Sequence, residues 1–330
     1  MATQIWIDPI PQQAALMDGN DWWVEMRALP TLSSVLFRFL GLVGYPKVNT
    51  KELTDYIWKD PALLSRVLPI AAPNWSREKS EDPSLRKAIS RLSRERIRHV
   101  AFTTPLLRSF EPLGTGSYAI TYWERSLLCG TACQAIADHL NLVHPERYYI
   151  AGLLHDIGYL VLLQKRPSLM PTILQQWAHR PTKLLEIENE LLGIDHCRLG
   201  LQVASRLGLE SWLHPAIESH HSPIQDTDSI ARVTAVAGAY ANYQGVDFFP
   251  RRSLSRATRE REMQEILRGL LPELAEKGRA LLLAAMETAV RPIRNGIRET
   301  IVEWQVAGET RLRPYFAHPV GRLAALPAIA

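Results

Sequence analysis

The chain is poor in cysteine and has no long apolar run. Three cysteines, Cys129, Cys133 and Cys197, stand among 330 residues with no CxxC pair, so neither a disulfide framework nor a zinc ribbon is indicated. Cys129 and Cys133 are four apart on an expected helix and read as small buried apolar positions. A reducing, cytoplasmic compartment is the expectation. The longest apolar stretches, around Leu160–Leu163 and Ala280–Met286, are too short to span a bilayer. Met1 to Asp8 has neither the basic start nor the apolar segment of a signal peptide, so no membrane is expected as a partner. Charge is sparse as well: the formal net charge is +4, which mainly affects solubility and weak steering. Apolar–polar alternation of the kind that marks a strand is missing, and no internal repeat is present. What remains, 46 % hydrophobic and 22 % charged residues, suits a globular chain with a sizeable core and argues against extensive disorder.

The pattern that is present is helical. Thr31 to Leu42 carries Leu32, Val35, Leu36, Phe39 and Leu40 at three-and-four spacing. Asn49 with Glu52 reads as a capping box opening a helix to Trp58. Asp60-Pro61 and Asp82-Pro83 each set a cap before a proline whose missing N–H costs nothing at the first helical position, predicting helices near 61–71 and 83–92. After the turn Leu113 to Ser117 a long helix is expected from about Tyr118 to Leu142. Tyr148 to Leu163, apolar on nearly every face, reads as one central buried helix. Further helices are predicted at about 167–178, 182–192, 195–207, 210–221 and 228–243, with breaks at Pro167, Pro181, Gly193, Gly208 and Ser222-Pro223. From Arg251 the texture is rich in Arg and Glu, with a stripe at Met263, Ile266, Leu267, Leu270 and Leu274. Pro272 and Arg291-Pro292 divide this region into roughly three helices, and Ala307 to Ala330 reads as a tail. The stripe must be buried, within the chain or in a homodimer.

His155-Asp156 is the polar dipeptide of the otherwise apolar segment Tyr149–Leu163. A buried charge needs a partner, and imidazole beside carboxylate suits a divalent metal. The plainer reading is a buried His–Asp couple that pins helices by hydrogen bonds. His196 follows a turn, and His220-His221 end a helix, where a histidine also suits the negative end of the dipole. Adjacent helical residues lie about 100° apart, so His220 and His221 can face one metal only at a dinuclear site or a frayed helix end. His139, His144, His179 and His214 read as surface or packing residues. The arginines Arg251, Arg252, Arg256, Arg259 and Arg261 are interleaved with Glu260, Glu262 and Glu265 and lack stacking aromatics. They read as a solvated face rather than a nucleic-acid surface.

Ala151-Gly-Leu-Leu-His-Asp-Ile-Gly158, Glu190-Leu-Leu-Gly-Ile-Asp-His196 and Ile217-Glu-Ser-His-His221 resemble, in order and spacing, the HDOD family of bacterial regulatory domains. Leu29-Pro-Thr-Leu, Asp60-Pro-Ala-Leu-Leu-Ser-Arg-Val-Leu68 and Ala88-Ile-Ser-Arg-Leu92 are similar to that family's N-terminal bundle. The resemblance spans about Leu29 to Tyr243. It implies an all-α, HD-domain-like helical bundle related to metal-dependent HD phosphohydrolases and HD-GYP phosphodiesterases. An N-terminal extension at 1–28, an HDOD-like domain with its N-terminal helical subdomain at 29–250, and added C-terminal helices with a tail at 251–330 are expected.

The departures from the hydrolase pattern point away from catalysis. Where the hydrolases place a first histidine two residues after a Trp, Trp123-Glu124-Arg125 puts Arg125. That residue shares a stripe with Thr121, Leu128, Cys129 and Ala132 and is expected to point inward. A guanidinium stays protonated and cannot ligate. Where the hydrolases close the site with a late aspartate, Val236-Ala237-Gly238-Ala239 puts Gly238, and Tyr159 stands where many active relatives carry a lysine. The resemblance thus implies a non-catalytic signal-transduction module acting on signalling proteins or a small ligand. No cofactor is expected, although His155, Asp156, His196, His220 and His221 could retain weak divalent metal binding. The alternative is a phosphohydrolase acting on a nucleotide or cyclic dinucleotide, with Arg125 recruited to hold the phosphate. Asp156, ionised in an apolar surround, is expected to pair with Arg125 directly or through one water.

Overall fold

A computed structural model describes residues 50–71, 85–93, 97, 115–180, 183–221, 228–246 and 255–311. The helix expected at Thr31 to Leu42, the Asn49 cap, the Asp82-Pro83 cap and residues 312–330 lie outside them. Among the described residues every regular element is a helix and there is no strand. None of these helices is long and apolar enough to cross a membrane.

The first elements are α1 (Thr50–Lys59), α2 (Pro61–Ala71) and α3 (Leu85–Ser90). Asp60 starts α2 as its sequence predicts: the Leu63 N–H donates to Asp60 Oδ1 at 2.8 Å. The other carboxylate oxygen accepts Trp123 Nε1–H at 3.1 Å, so one cap also ties this subdomain to α4 (Thr115–His139). Tyr149 reinforces the junction, stacking on Trp58 at 5.1 Å between ring centroids and donating its hydroxyl to the Trp58 carbonyl at 3.1 Å.

Among the described residues the most extensive helix contact is between α4 and α5 (Pro145–Leu154), within the core. A Cβ at Gly152 would lie 2.5 Å from the Cys129 carbonyl oxygen and 2.6 Å from Cys133 Sγ, so only glycine permits this approach. Helix α4 starts three residues before the predicted Tyr118 and ends at His139.

The single helix expected over Tyr148–Leu163 is two. Helix α5 stops at Leu154, His155–Ile157 form a turn, and α6 runs Gly158–Lys165. The backbone tightens to three-residue bonds here: Ile157 N–H to Leu154 O at 3.0 Å, Tyr159 N–H to Asp156 O at 2.9 Å and Leu160 N–H to Ile157 O at 3.2 Å. Gly158 gives the packing reason. Its Cβ would sit 2.1 Å from the His196 carbonyl oxygen, and the turn lets α6 lie against α9 at that distance.

The chain continues through α7 (Met170–His179), α8 (Leu184–Leu192), α9 (His196–Arg206), α10 (His214–Glu218) and α11 (Ser229–Tyr243). Asp195 caps α9 through the Arg198 N–H at 2.9 Å, and Asp228 caps α11 through the Ile230 N–H at 2.8 Å. The helix predicted at 210–221 is a 3-10 turn, Ser211–Leu213, followed by α10, which ends at Glu218.

Among the described residues of the C-terminal region there are two helices rather than three: α12 (Arg256–Leu270) and α13 (Glu276–Arg311). Pro292 lies inside α13, and Thr288, whose carbonyl would have received the missing N–H, is exposed with it. Solvent can satisfy that oxygen, so the helix continues. It also runs into the expected tail as far as Arg311. Met263, Leu267, Leu282, Met286 and Val290 are buried in the same core as α4 and α11. Glu287 fastens α13, accepting from Tyr240 Oη at 2.9 Å and Gln244 Nε2 at 2.6 Å.

Candidate metal centre

The tight turn between α5 and α6 aims His155 and Asp156 at the ends of α9 and α10. His155 is fully buried, and its Nδ1 lies 2.8 Å from the Gly152 carbonyl, which makes Nδ1–H a donor to that oxygen. Nε2 stands 3.0 Å from Asp156 Oδ2 but is out of line for a hydrogen bond and makes none.

His196 is the first residue of α9. Its Nδ1 is 2.6 Å from Glu188 Oε2, the same oxygen that accepts the His196 backbone N–H at 2.9 Å. Tyr159 donates its hydroxyl to Glu188 Oε1 at 2.6 Å and stacks on the His196 ring at 4.4 Å. Burial works against a charge on His196, but Cys197 and Glu188 beside it hold its pKa well above the ordinary histidine value.

His220 and His221 follow the end of α10 in a turn, which removes the helical constraint on neighbouring side chains. Their rings come within 4.4 Å, centroid to centroid. His220 Nδ1–H donates to Ala216 O at 2.9 Å, and its Nε2 lies 3.2 Å from Asp156 Oδ1. Burial, and then the imidazoles of His155 and His196, push its pKa down to about 4 despite Asp156. His220 is therefore neutral near pH 7, and its Nε2 lone pair faces a carboxylate.

Arg125 stands on the opposite edge of that carboxylate. Its Nε donates to Asp156 Oδ2 at 3.1 Å, and its Nη1 donates to Asn242 Oδ1 at 2.7 Å and Val246 O at 3.2 Å. Burial alone would raise the Asp156 carboxyl; His155 and Arg125 hold it well below the usual range. Gly238 faces the same guanidinium, with a Cβ there falling 3.4 Å from Arg125 Nη2.

The five histidine and aspartate positions singled out in the sequence thus meet in one place, with Arg125 and Gly238 beside them. Two donor sets share His220: His155, Asp156 and His220; and His196, Cys197, His220 and His221. Within each set the ligand atoms lie within 4.8 Å of one another. Three imidazoles with Nδ1 committed to protein acceptors and Nε2 directed at each other or at a carboxylate are arranged as metal ligands are. The orphaned His155 Nε2 fits that chemistry. A second ion on the Asp156 Oδ2 side does not fit, because the guanidinium holds that oxygen. His139, His144, His179 and His214 stand in neither set.

Sequence reasoning missed Glu188, Asn242 and Cys197. Glu188 had a signal: it falls on the stripe Leu184, Ile187, Leu191 and Leu192 and is fully buried. Cys197 directly follows a candidate ligand.

The family model for the HDOD domain matches residues 29–223. The MmoQ response regulator of Methylococcus capsulatus str. Bath is similar in structure, with TM-score 0.55 and 25 % identity over 78 % of this chain and 98 % of that one. A fragment of the same regulator gives 0.50 and 22 % over 72 % of this chain and 91 % of its own. An HDOD domain protein from Geobacter sulfurreducens gives 0.47 and 22 % over 84 % and 95 %. No curated protein matches the sequence.

Proposed function

From the premise that this chain belongs to the HDOD domain family, we propose that it is a non-catalytic signal-transduction module that works by binding signalling proteins or a small ligand. The observation that carries this reading is the Arg125 guanidinium, buried, bonded to Asp156 Oδ2 and anchored on Asn242 and Val246. A dication sharing Asp156 with that fixed charge would meet repulsion of several kcal/mol, on the order given by Coulomb's law at an effective dielectric of about 20. Gly238 supplies no carboxylate to offset it. We take residues 29–250 as the signalling domain and 251–330 as an extension whose helices α12 and α13 share its core.

A second reading, a metal-dependent phosphohydrolase, is favoured by the convergence of His155, His196 and His220 on Asp156. A divalent ion held by His155, Asp156 and His220 would polarise a phosphate oxygen and make bound water more acidic. In that reading Arg125 would hold the substrate phosphate. Turnover of bis(p-nitrophenyl) phosphate and of cyclic dinucleotides separates the two, measured on full-length protein with added Mn(II), Fe(II) or Zn(II). No turnover above the metal-only blank is expected. Turnover that a chelator abolishes and that Asp156→Asn removes would overturn the proposal.

A further inference from the structure

We propose that Cys197, with His196, His220 and His221, forms a closed zinc site that clamps the start of α9 to the end of α10, with His155 and Asp156 outside its ligand set. The donor atoms already stand at ligand spacing. His196 Nε2 lies 3.4 Å from His220 Nε2, 3.1 Å from His221 Nε2 and 3.5 Å from Cys197 Sγ. Tetrahedral zinc with bonds of about 2.0–2.1 Å to nitrogen and about 2.3 Å to sulfur requires N···N of about 3.3 Å and N···S of about 3.6 Å.

The orientation of the rings argues the same way. The Nδ1 atoms of His196 and His220 are committed to Glu188 and to the Ala216 carbonyl. Their Nε2 atoms are thereby turned toward each other and, at His196, toward the thiol. A dication would draw on all of these donors at once, with nitrogen and sulfur deprotonated on binding.

The scaffold is built for such a clamp. Asp195 caps α9 and sets the first turn that presents both His196 and Cys197. Glu188 grips His196 at its backbone and its ring, and Tyr159 in turn fixes Glu188, which is the outer-shell carboxylate that orients a ligating imidazole. At Gly200 a Cβ would lie 2.7 Å from Ile217 Cγ2, so α9 and α10 pack in close contact. Thiolate with imidazoles selects zinc over magnesium or manganese. Four protein donors leave no open position for water, so the site is structural rather than hydrolytic. Arg125 does not oppose it, because the guanidinium holds Asp156 Oδ2 while Oδ1 faces His220.

The test uses the full-length chain, stripped of metal and titrated with Co(II), then Zn(II). One equivalent of Co(II) should bind with tetrahedral d–d bands and a thiolate-to-cobalt charge-transfer band, and Zn(II) should displace it. Cys197→Ser should lose the charge-transfer band and bind Zn(II) at least about tenfold more weakly. X-ray absorption of the wild-type zinc protein decides the matter independently of any variant, with one sulfur neighbour at about 2.3 Å expected. A stoichiometric ion with only nitrogen and oxygen neighbours would show that Cys197 is not a ligand and overturn the proposal, as would failure to take up Zn(II). Neither outcome touches the non-catalytic reading, which the turnover assay decides.

Discussion

Removing the Arg125 guanidinium should unpin α4 from the turn between α5 and α6. Both partners are almost fully buried, with side-chain exposures of 9 % and 4 %, so solvent does little to screen the pair. Breaking a buried pair by truncating one partner costs about 3–5 kcal/mol, because the other charge is left uncompensated. Arg125→Met also strips the Val246 carbonyl and Asn242 Oδ1 of a donor, an additional cost of about 1–3 kcal/mol where water cannot enter. A loss near 4 kcal/mol is roughly a thousandfold in the folded-to-unfolded ratio. Urea denaturation at pH 7 reads it as a lower midpoint at unchanged slope. The pair itself is isolated by a double-mutant cycle with Asp156→Asn, where a coupling of about 2 kcal/mol or more is expected. Arg125→Lys keeps the charge without the fork and should recover only part of the loss. Additive single effects, with coupling under about 0.5 kcal/mol, would refute the reasoning, because they would show that α4 and the turn are held by packing alone.

Restoring the hydrolase ligands makes a complementary case. Arg125→His with Gly238→Asp should raise Mn(II) or Co(II) affinity at least about tenfold by calorimetry, whereas Gly238→Asp alone should not, since its carboxylate would lie against the guanidinium. Gly158→Ala should destabilise by about 1–3 kcal/mol or more in the same urea assay, because its methyl has to displace the His196 backbone; a neutral effect would contradict the close approach of α6 to α9. Truncation after Pro250 should leave the protein aggregated or sharply less stable. Six buried side chains of the described residues, Met263, Leu267, Leu271, Leu282, Met286 and Val290, leave with the C-terminal region, at about 1.5–3 kcal/mol each, and an unchanged melting point would count against a shared core. Cys133 is buried, and burial, then the neighbouring Cys129, pushes its thiol well above the ordinary value. Native protein at pH 8 should therefore show no fast reaction of Cys133 with a disulfide reagent, and rapid labelling there would mean that the α4–α5 face opens.

Much of this fold was legible because helices announce themselves by spacing, and here nearly every segment is amphipathic or capped. Asp60-Pro61 could be read directly, since a cap is a local interaction. The break at His155–Ile157 could not. A segment apolar on every face has no phase to lose, and Gly158 is needed only because another helix lies 2.1 Å from where its Cβ would be. Pro292 misled for a related reason: its missing hydrogen bond matters only if water cannot reach the Thr288 carbonyl, and exposure is a tertiary property. In the site, His155, Asp156, His196, His220 and His221 were visible as chemistry-bearing residues, and Arg125 as an inward cation. Cys197 stayed hidden because a lone thiol means nothing until the end of α10 is folded against the start of α9. Glu188 was readable in principle, since a carboxylate on an apolar stripe must find a partner when buried, and it finds Tyr159 and His196.

Asp156 is the element around which the other choices arrange themselves. A carboxylate inside an apolar turn is tolerable only beside positive charge, and a metal ion and a guanidinium both supply it. They differ in what they make the junction depend on. A metal-held junction weakens when the ion is scarce or the ligands protonate, whereas Arg125 keeps its charge at any physiological pH and cannot leave. Placing the fixed charge on Oδ2 therefore makes the contact of α4 with the α5–α6 turn insensitive to metal supply. A module that transmits signals by binding needs that constancy in its frame, and a hydrolase needs instead an exchangeable position at the same atom. The cost is that Oδ2 is no longer free to bridge two ions. What the substitution leaves available is Oδ1, which faces His220 and, beyond it, His196. Any metal sensitivity the protein has should accordingly reside at the α9–α10 end of the cluster, while the α4 end stays rigid.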